Sequence, residues 1–172
     1  HPHSFTRGAH RWTAHALRER GGVRLSAGLD ELYVLKTTGS AFAGFLEDRY
    51  TTLPATDDRI MATNLEAEWR YGSTDLDFGI ERRCVKDVIL HAFAHHDESN
   101  SVQHTLWEMG RAVVDSCPSV DEIWFSLPNL HHIAVDLAPY GLRNEGEVFV
   151  VTDTPSGRIE GTVRRTEGAF PA

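Results

Sequence analysis

The sequence predicts an α+β fold: an antiparallel β-sheet with two helices packed on one face. Three observations carry this. Apolar residues recur with a period of two near both ends of the chain, whereas the middle follows helical spacing. The two helical segments are adjacent, with no strand between them. Strands gathered before and after the helices, rather than alternating with them, speak against a parallel βαβ sheet.

In chain order, Trp12 to Leu17 and Val23 to Leu29 read as strands joined by a turn around Gly21-Gly22, a good hairpin signal. Leu32-Tyr33-Val34-Leu35 reads as a further short strand. Thr37 to Asp58 is polar and turn-rich, with three aromatics, Phe42, Phe45 and Tyr50, that either tuck under a neighbour or line a ligand site. Leu65, Ala67, Trp69 and Tyr71 alternate with Glu66, Glu68 and Arg70, a strand with one wet face. Val85, Val88, Ile89, Ala92, Phe93 and His96 then follow helical spacing behind an Asp75/Asp77 capping region. After the polar Asp97-Glu98-Ser99-Asn100 break, Val102, Leu106, Met109 and Val113 mark a second helix that ends before Pro118. Ile123, Phe125 and Leu127, then Ile133, Val135 and Leu137, read as a hairpin turning at Pro128-Asn129. Val148 to Val151 and Ile159 to Val163 close the series. There is no internal repeat, low-complexity segment or linker.

A chain of 172 residues is one ordinary domain and buries enough surface to fold without a staple. Its net charge of −8 argues against a nucleic-acid phosphate track, and its composition against disorder or a membrane span. Cys84 and Cys117, outside any CxxC pair, read as reduced core thiols of a cytoplasmic protein. The opening His1-Pro2-His3-Ser4 has no Met and no signal-peptide core, so the chain reads as the interior of a longer protein.

His91, His95 and His96 crowd one helix end, and His91/His95 have the spacing of a metal pair. That helix lacks an HExxH glutamate, and histidines at a helix C-terminus also complement the macrodipole. No GxSxG elbow, Walker loop or GxGxxG is present. A second set is more informative. Arg59 opens a strand after the Thr51-Thr52-Leu53 and Asp57-Asp58 segment. Val102 and Gln103 fall in the first turn of the second helix, where free N–H groups favour an anion. Asn129 and His131 lie two apart at a strand start, so both point to one side. Planar donor forks and an amide suit a flat, anionic heterocycle with adjacent N–H and C=O groups. Spacing alone favours the plainer reading, in which Arg59 pairs with a nearby Asp, Gln103 decorates a helix start and Asn129 serves a turn.

Several further motifs stand in order along the chain. They are Leu35-Lys36-Thr37-Thr38-Gly39-Ser40-Ala41-Phe42-Ala43-Gly44-Phe45, Asp48-Arg49-Tyr50-Thr51-Thr52-Leu53 and Asp58-Arg59. Ser101-Val102-Gln103 with Thr105-Leu106 and Met109-Gly110, and Ser126-Leu127-Pro128-Asn129 with His131, follow. Asp153-Thr154-Pro155, Gly157 and Ile159-Glu160-Gly161-Thr162-Val163 complete the pattern. In this order they resemble the urate oxidase (uricase) family. The resemblance runs from about His3-Ser4-Phe5 to Arg165 and covers the carboxyl-terminal half of the family's subunit. It implies that residues 1–172 form a single T-fold (tunnelling-fold) domain, the second of two in tandem. It also implies a homotetramer with active sites at subunit interfaces, and partnership with the amino-terminal half of the subunit.

By the same resemblance, Phe42 stacks on the urate ring, Arg59 grips one edge of the anion, and Gln103 with the Val102 N–H grips the other. Asn129 holds dioxygen or water above the ring, and His131 belongs to the proton relay. The implied reaction is oxidation of urate by O2 to 5-hydroxyisourate and hydrogen peroxide in purine degradation, with no metal or organic cofactor. Two departures stand out. Leu130 occupies a position where family members usually carry Lys, and the family's Lys–Thr base dyad has no counterpart in these residues. Two other readings remain: a pterin-type T-fold enzyme with histidine-bound zinc, and a non-catalytic half that binds a purine or only assembles.

Overall fold

The computed structural model describes residues 10–52, 54–96, 98–150 and 157–166. Strand β1 (Arg11–Glu19) turns at Arg20-Gly21 into β2 (Gly22–Lys36), and the two pair antiparallel from Arg11↔Asp30 to Glu19↔Gly22. Gly22 takes φ 137°, open to glycine and to few other residues, so the expected hairpin has its required hinge. Beyond the turn, one expectation is corrected. The runs 23–29 and 32–35 belong to one strand, not two. Asp30-Glu31 is a bulge at which the register to the next strand shifts, with Glu31 at φ 60°.

Strand β3 (Met61–Tyr71) lies between β2 and β4 (Val120–Pro128), and β7 (Arg158–Arg164) closes the sheet in the order β1-β2-β3-β4-β7, every pair antiparallel. Leu65, Ala67, Trp69 and Tyr71 turn to the buried face, as their period of two predicts, while Glu68 faces solvent.

The helices cover that buried face. Helix α1 (Phe78–His95) starts at Asp77, whose carboxylate accepts from the Ile80 N–H at 3.0 Å. Val85, Ile89 and Phe93 are its buried stripe. Helix α2 (Val102–Ser116) is capped by Ser101, whose hydroxyl oxygen accepts from the His104 N–H at 3.1 Å, and ends at Cys117 before Pro118. It buries Val102, Leu106, Met109 and Val113 against Ile123, Phe125 and Leu127 of β4 and Val163 of β7. Each large side chain fully withdrawn from water contributes about 1.5–3 kcal/mol. Small residues set the closeness of approach. The position a Cβ would take at Gly110 lies 2.4 Å from Val163 Cγ2, and at Gly161 3.1 Å from Leu106 Cδ2. Among the described residues no helix is long and apolar enough to cross a membrane.

The predicted hairpin of 123–127 with 133–137 does not form. Strand β4 has both flanks occupied, by β3 and β7. Only β5 (Ile133–Ala134) is a strand, and it pairs with β6 (Phe149–Val150) in a separate two-stranded sheet. Asn144 organises the intervening loop: its Nδ2 donates to the carbonyls of Val135 (2.9 Å) and Val148 (2.7 Å), and its Oδ1 accepts from the Gly146 and Glu147 N–H groups. A 3-10 turn over Ala138–Tyr140 ends the apolar alternation at Leu137. Val151, Asp153-Thr154-Pro155 and the His3-Ser4-Phe5 segment lie outside the described residues.

Candidate functional site

The loop after β2 is fastened in three places. Phe42 and Thr56 exchange backbone hydrogen bonds of 2.8 and 2.9 Å, and the Arg59 N–H donates to Ser40 O at 2.7 Å. The Ala41 and Ala43 N–H groups donate to Ser99 O and Asn100 O, at 2.6 and 3.2 Å, the residues just ahead of α2. Ser99 is anchored in turn: its hydroxyl meets Thr105 Oγ1 at 2.6 Å inside the protein, and Thr105 Oγ1 reaches Met61 Sδ at 3.7 Å. These bonds carry Phe42 and Arg59 to the first turn of α2, where Val102 is buried and Gln103 exposed. The Thr105 and His104 amides are taken by Ser101. Val102 and Gln103 supply the two amides ahead of them, which a helix leaves without intrahelical partners.

The alternative in which Arg59 pairs with the adjacent aspartate does not hold. The Asp58 carboxylate instead accepts from Thr38 Oγ1 at 2.6 Å and the Ser40 N–H at 3.3 Å, and the Thr38 bond is the chief cause of its lowered pKa. Arg59 makes no ion pair among the described residues, and its buried Nε has no hydrogen-bond partner there. Its Cζ lies 5.5 Å from the centre of the Phe42 ring, which is itself stacked on Phe45 at 4.4 Å and 21°. Burial lowers the Arg59 pKa, but a guanidinium keeps its charge at any working pH. A half-buried cation of this kind has strong reason to take an anion.

Asn129 and His131 meet, but in the loop between β4 and β5 and not at the start of a strand as expected. The Asn129 N–H donates to Gly157 O at 2.8 Å, and the Leu130 N–H donates to Ala62 O at 3.0 Å, next to β3. Asn129 Nδ2 donates to His131 Nε2 at 2.8 Å, so the neutral imidazole carries its proton on Nδ1. Burial first, then the positive charge of Arg59, then His132, lower the His131 pKa. The ring is neutral at pH 7, and Nε2, which accepts from Asn129, is the atom that would take a proton. Because the unfolded chain protonates this histidine first, its contribution destabilises the fold only as pH falls below about 6.5. Arg59→Met should raise the His131 pKa toward that ordinary value, read by NMR titration of the imidazole. A pKa unmoved by the substitution would mean that the Arg59 charge does not reach His131.

The remaining histidines behave differently. His91 and His95 stack at 4.0 Å, with His95 Nδ1 against the His91 carbonyl of its own helix at 2.9 Å. Among the described residues no group of three His, Cys, Asp or Glu could hold a metal ion. A cavity of about 600 Å³ lies between β1, β2 and the start of α1, lined by Trp12, Leu25, Tyr71, Phe78 and Arg82 among others, and includes none of the six residues above. The paired polar chemistry lies at the other group, away from this cavity. Sequence reasoning missed the Phe45 stack and the Thr38–Asp58 bond, neither of which has a spacing signature.

The uricase family model matches residues 25–160. A uricase from Arthrobacter globiformis is 45% identical over 166 residues, 96% of this chain and 55% of the relative. A uricase from Danio rerio is 41% identical over 143 residues, 81% of this chain and 48% of the relative. A crystal structure of the Arthrobacter globiformis uricase matches with a TM-score of 0.91 at 43% identity, over 100% of this chain and 60% of that one. The chain thus spans about half the length of the curated relatives it matches. Its five-stranded antiparallel sheet with two covering helices is the T-fold arrangement of those structures. On the extent of the family match and the agreement of fold, the chain belongs to the uricase family.

Proposed function

We propose that the protein carrying this chain is a urate oxidase, converting urate, O2 and water to 5-hydroxyisourate and hydrogen peroxide in purine degradation. The observation that carries this is Arg59: a half-buried guanidinium over an aromatic ring, with its neighbouring carboxylate engaged by Thr38 and Ser40. A flat anion stacked on Phe42 would take that fork at one edge, and the Val102 N–H with the Gln103 side chain at the other. Asn129 holds dioxygen or water above the ring, and neutral His131, hydrogen-bonded to Asn129, passes the proton. No metal or organic cofactor takes part. Removing a second proton from urate yields an electron-rich dianion able to give an electron to O2, and fixed donors facing that charge lower the cost of forming it.

The reading includes a division of labour. In this reading residues 1–172 are the second of two tandem T-fold domains and the base that deprotonates urate comes from the amino-terminal half, a division supported by the chain's span of about half its relatives' length. The complete protein is a cytoplasmic homotetramer.

The test separates two roles by steady-state oxygen uptake on the complete protein. Asn129→Ala should lower kcat by about tenfold to a hundredfold while affinity for an unreactive urate analogue stays near normal. Gln103→Ala should weaken the analogue by about tenfold, since it leaves a polar edge of the ligand unpaired. Equal losses of affinity in both variants would overturn the assignment, and absence of urate-dependent oxygen uptake would overturn the function.

A further inference from the structure

We infer that Cys84 and Cys117 form a peroxide-sensitive dithiol, a modification site that closes to an intramolecular disulfide and pins α1 to the end of α2. Their sulfurs lie 3.5 Å apart although 33 positions separate them in the chain. Cys84 sits in the second turn of α1, and Cys117 is the C-terminal cap of α2. Both are free thiols. With the sulfurs already in contact at 3.5 Å, closure brings them together by about 1.5 Å to the length of an S–S bond.

The two thiols are unequal, and the inequality assigns their order of reaction. Cys117 is 1% exposed and its backbone is held from both sides. Its N–H donates to Val113 O at 2.8 Å, and its carbonyl accepts from the Val120 N–H and from the Arg165 guanidinium at 2.9 and 3.1 Å. Burial, then the Cys84 thiol, push its pKa up to about 12, so it does not meet peroxide as a thiolate. Cys84 is only partly buried and reacts first.

The Cys84 thiolate attacks one oxygen of hydrogen peroxide. An S–O bond forms, the O–O bond breaks, and hydroxide leaves, giving the sulfenic acid. The Cys117 sulfur then attacks the Cys84 sulfur. Its proton departs with the hydroxyl group as water, and an S–S bond replaces the S–O bond. Two thiols and one peroxide yield one disulfide and two waters, with two electrons passing from sulfur to oxygen. The oxidant is the kind of molecule that the proposed reaction releases, but the inference stands on the thiol geometry alone and does not require urate turnover.

The complete protein is treated with hydrogen peroxide without urate, remaining thiols are alkylated, and unreduced peptides are weighed. The expected product is a Cys84–Cys117 linked peptide about 2 Da lighter than its parts, released by dithiothreitol. The oxidised protein should melt about 5 °C or more above the reduced one, a rise that Cys84→Ser abolishes. In Cys84→Ser, Cys117 should stay unmodified; in Cys117→Ser, Cys84 should proceed to the sulfinic acid. Should the buried Cys117→Ser variant fail to fold, the wild type and Cys84→Ser decide the matter. Two unmodified thiols, Cys84 overoxidised beside a free Cys117, or disulfides only between molecules would overturn the site. A linked peptide with no rise in Tm would overturn the pinning.

Discussion

Arg59→Lys in the complete protein should lower kcat/KM for urate by at least tenfold, about 1.4 kcal/mol, and Arg59→Met by about a hundredfold or more. Lysine keeps the charge but loses the planar fork that meets two acceptors at once. Methionine keeps much of the apolar stem and loses the charge as well. The informative comparison is with stability. Among the described residues Arg59 makes no ion pair, and its buried Nε has no hydrogen-bond partner. An unpaired cation drawn from water costs the fold free energy, and replacing it with an apolar side chain of similar size returns that cost. Arg59→Met should therefore melt at or above the wild-type temperature while turnover collapses, the trade expected where a site is kept strained for function. Thermal melts beside oxygen-electrode assays check both arms. A variant that loses Tm in step with activity would make Arg59 a structural residue, and unchanged kcat/KM in Arg59→Lys would sink its role as the anion's anchor.

What the sequence made legible follows from the range of each interaction. Helix α2 was readable because the polar break ahead of it and its stripe of Val102, Leu106, Met109 and Val113 are local signals. Asn129 and His131 were readable only as near neighbours: they meet at 2.8 Å in the loop between β4 and β5, where a strand's period of two does not apply. Pairing partners are not local. Ile133, Val135 and Leu137 alternate as a strand should, yet β4 already had two neighbours, and nothing in the alternation says so. Asp30-Glu31 reads as a break because two charges interrupt an apolar run; the strand absorbs them as a bulge between Leu29 and Leu32. At the site, Asp58 beside Arg59 suggested an ion pair. Thr38, twenty positions earlier, takes that carboxylate instead and leaves the guanidinium to others. The Cys84–Cys117 contact is of the same long-range kind.

Gly110→Ala should destabilise the protein by about 2 kcal/mol, seen as a Tm lowered by about 4–8 °C. Two effects of opposite sign compete. Alanine in a helix interior is favoured over glycine by about 0.8–1 kcal/mol. Against this, the new Cβ would lie 2.4 Å from Val163 Cγ2 and 2.8 Å from Val163 Cβ. Val163 cannot swing aside cheaply: it is β-branched, 4% exposed, and seated on β7, whose backbone is paired along β4. Contacts that close put the overpacking cost at the upper end of its usual range, about 3 kcal/mol, which exceeds the gain in helix propensity. The relief must come from a shift of α2 itself, and the same helix places Val102 and Gln103 at the site and Leu106 over Gly161. Equilibrium unfolding of Gly110→Ala, Val163→Ala and the double variant decides whether this contact is the cause. In the double variant the alanine at 110 occupies space that the valine has left, so the pair should be more stable than the sum of its parts by about 1 kcal/mol or more. Strict additivity would place the clash elsewhere, and a Gly110→Ala variant as stable as the wild type would mean that α2 does not approach β7 this closely.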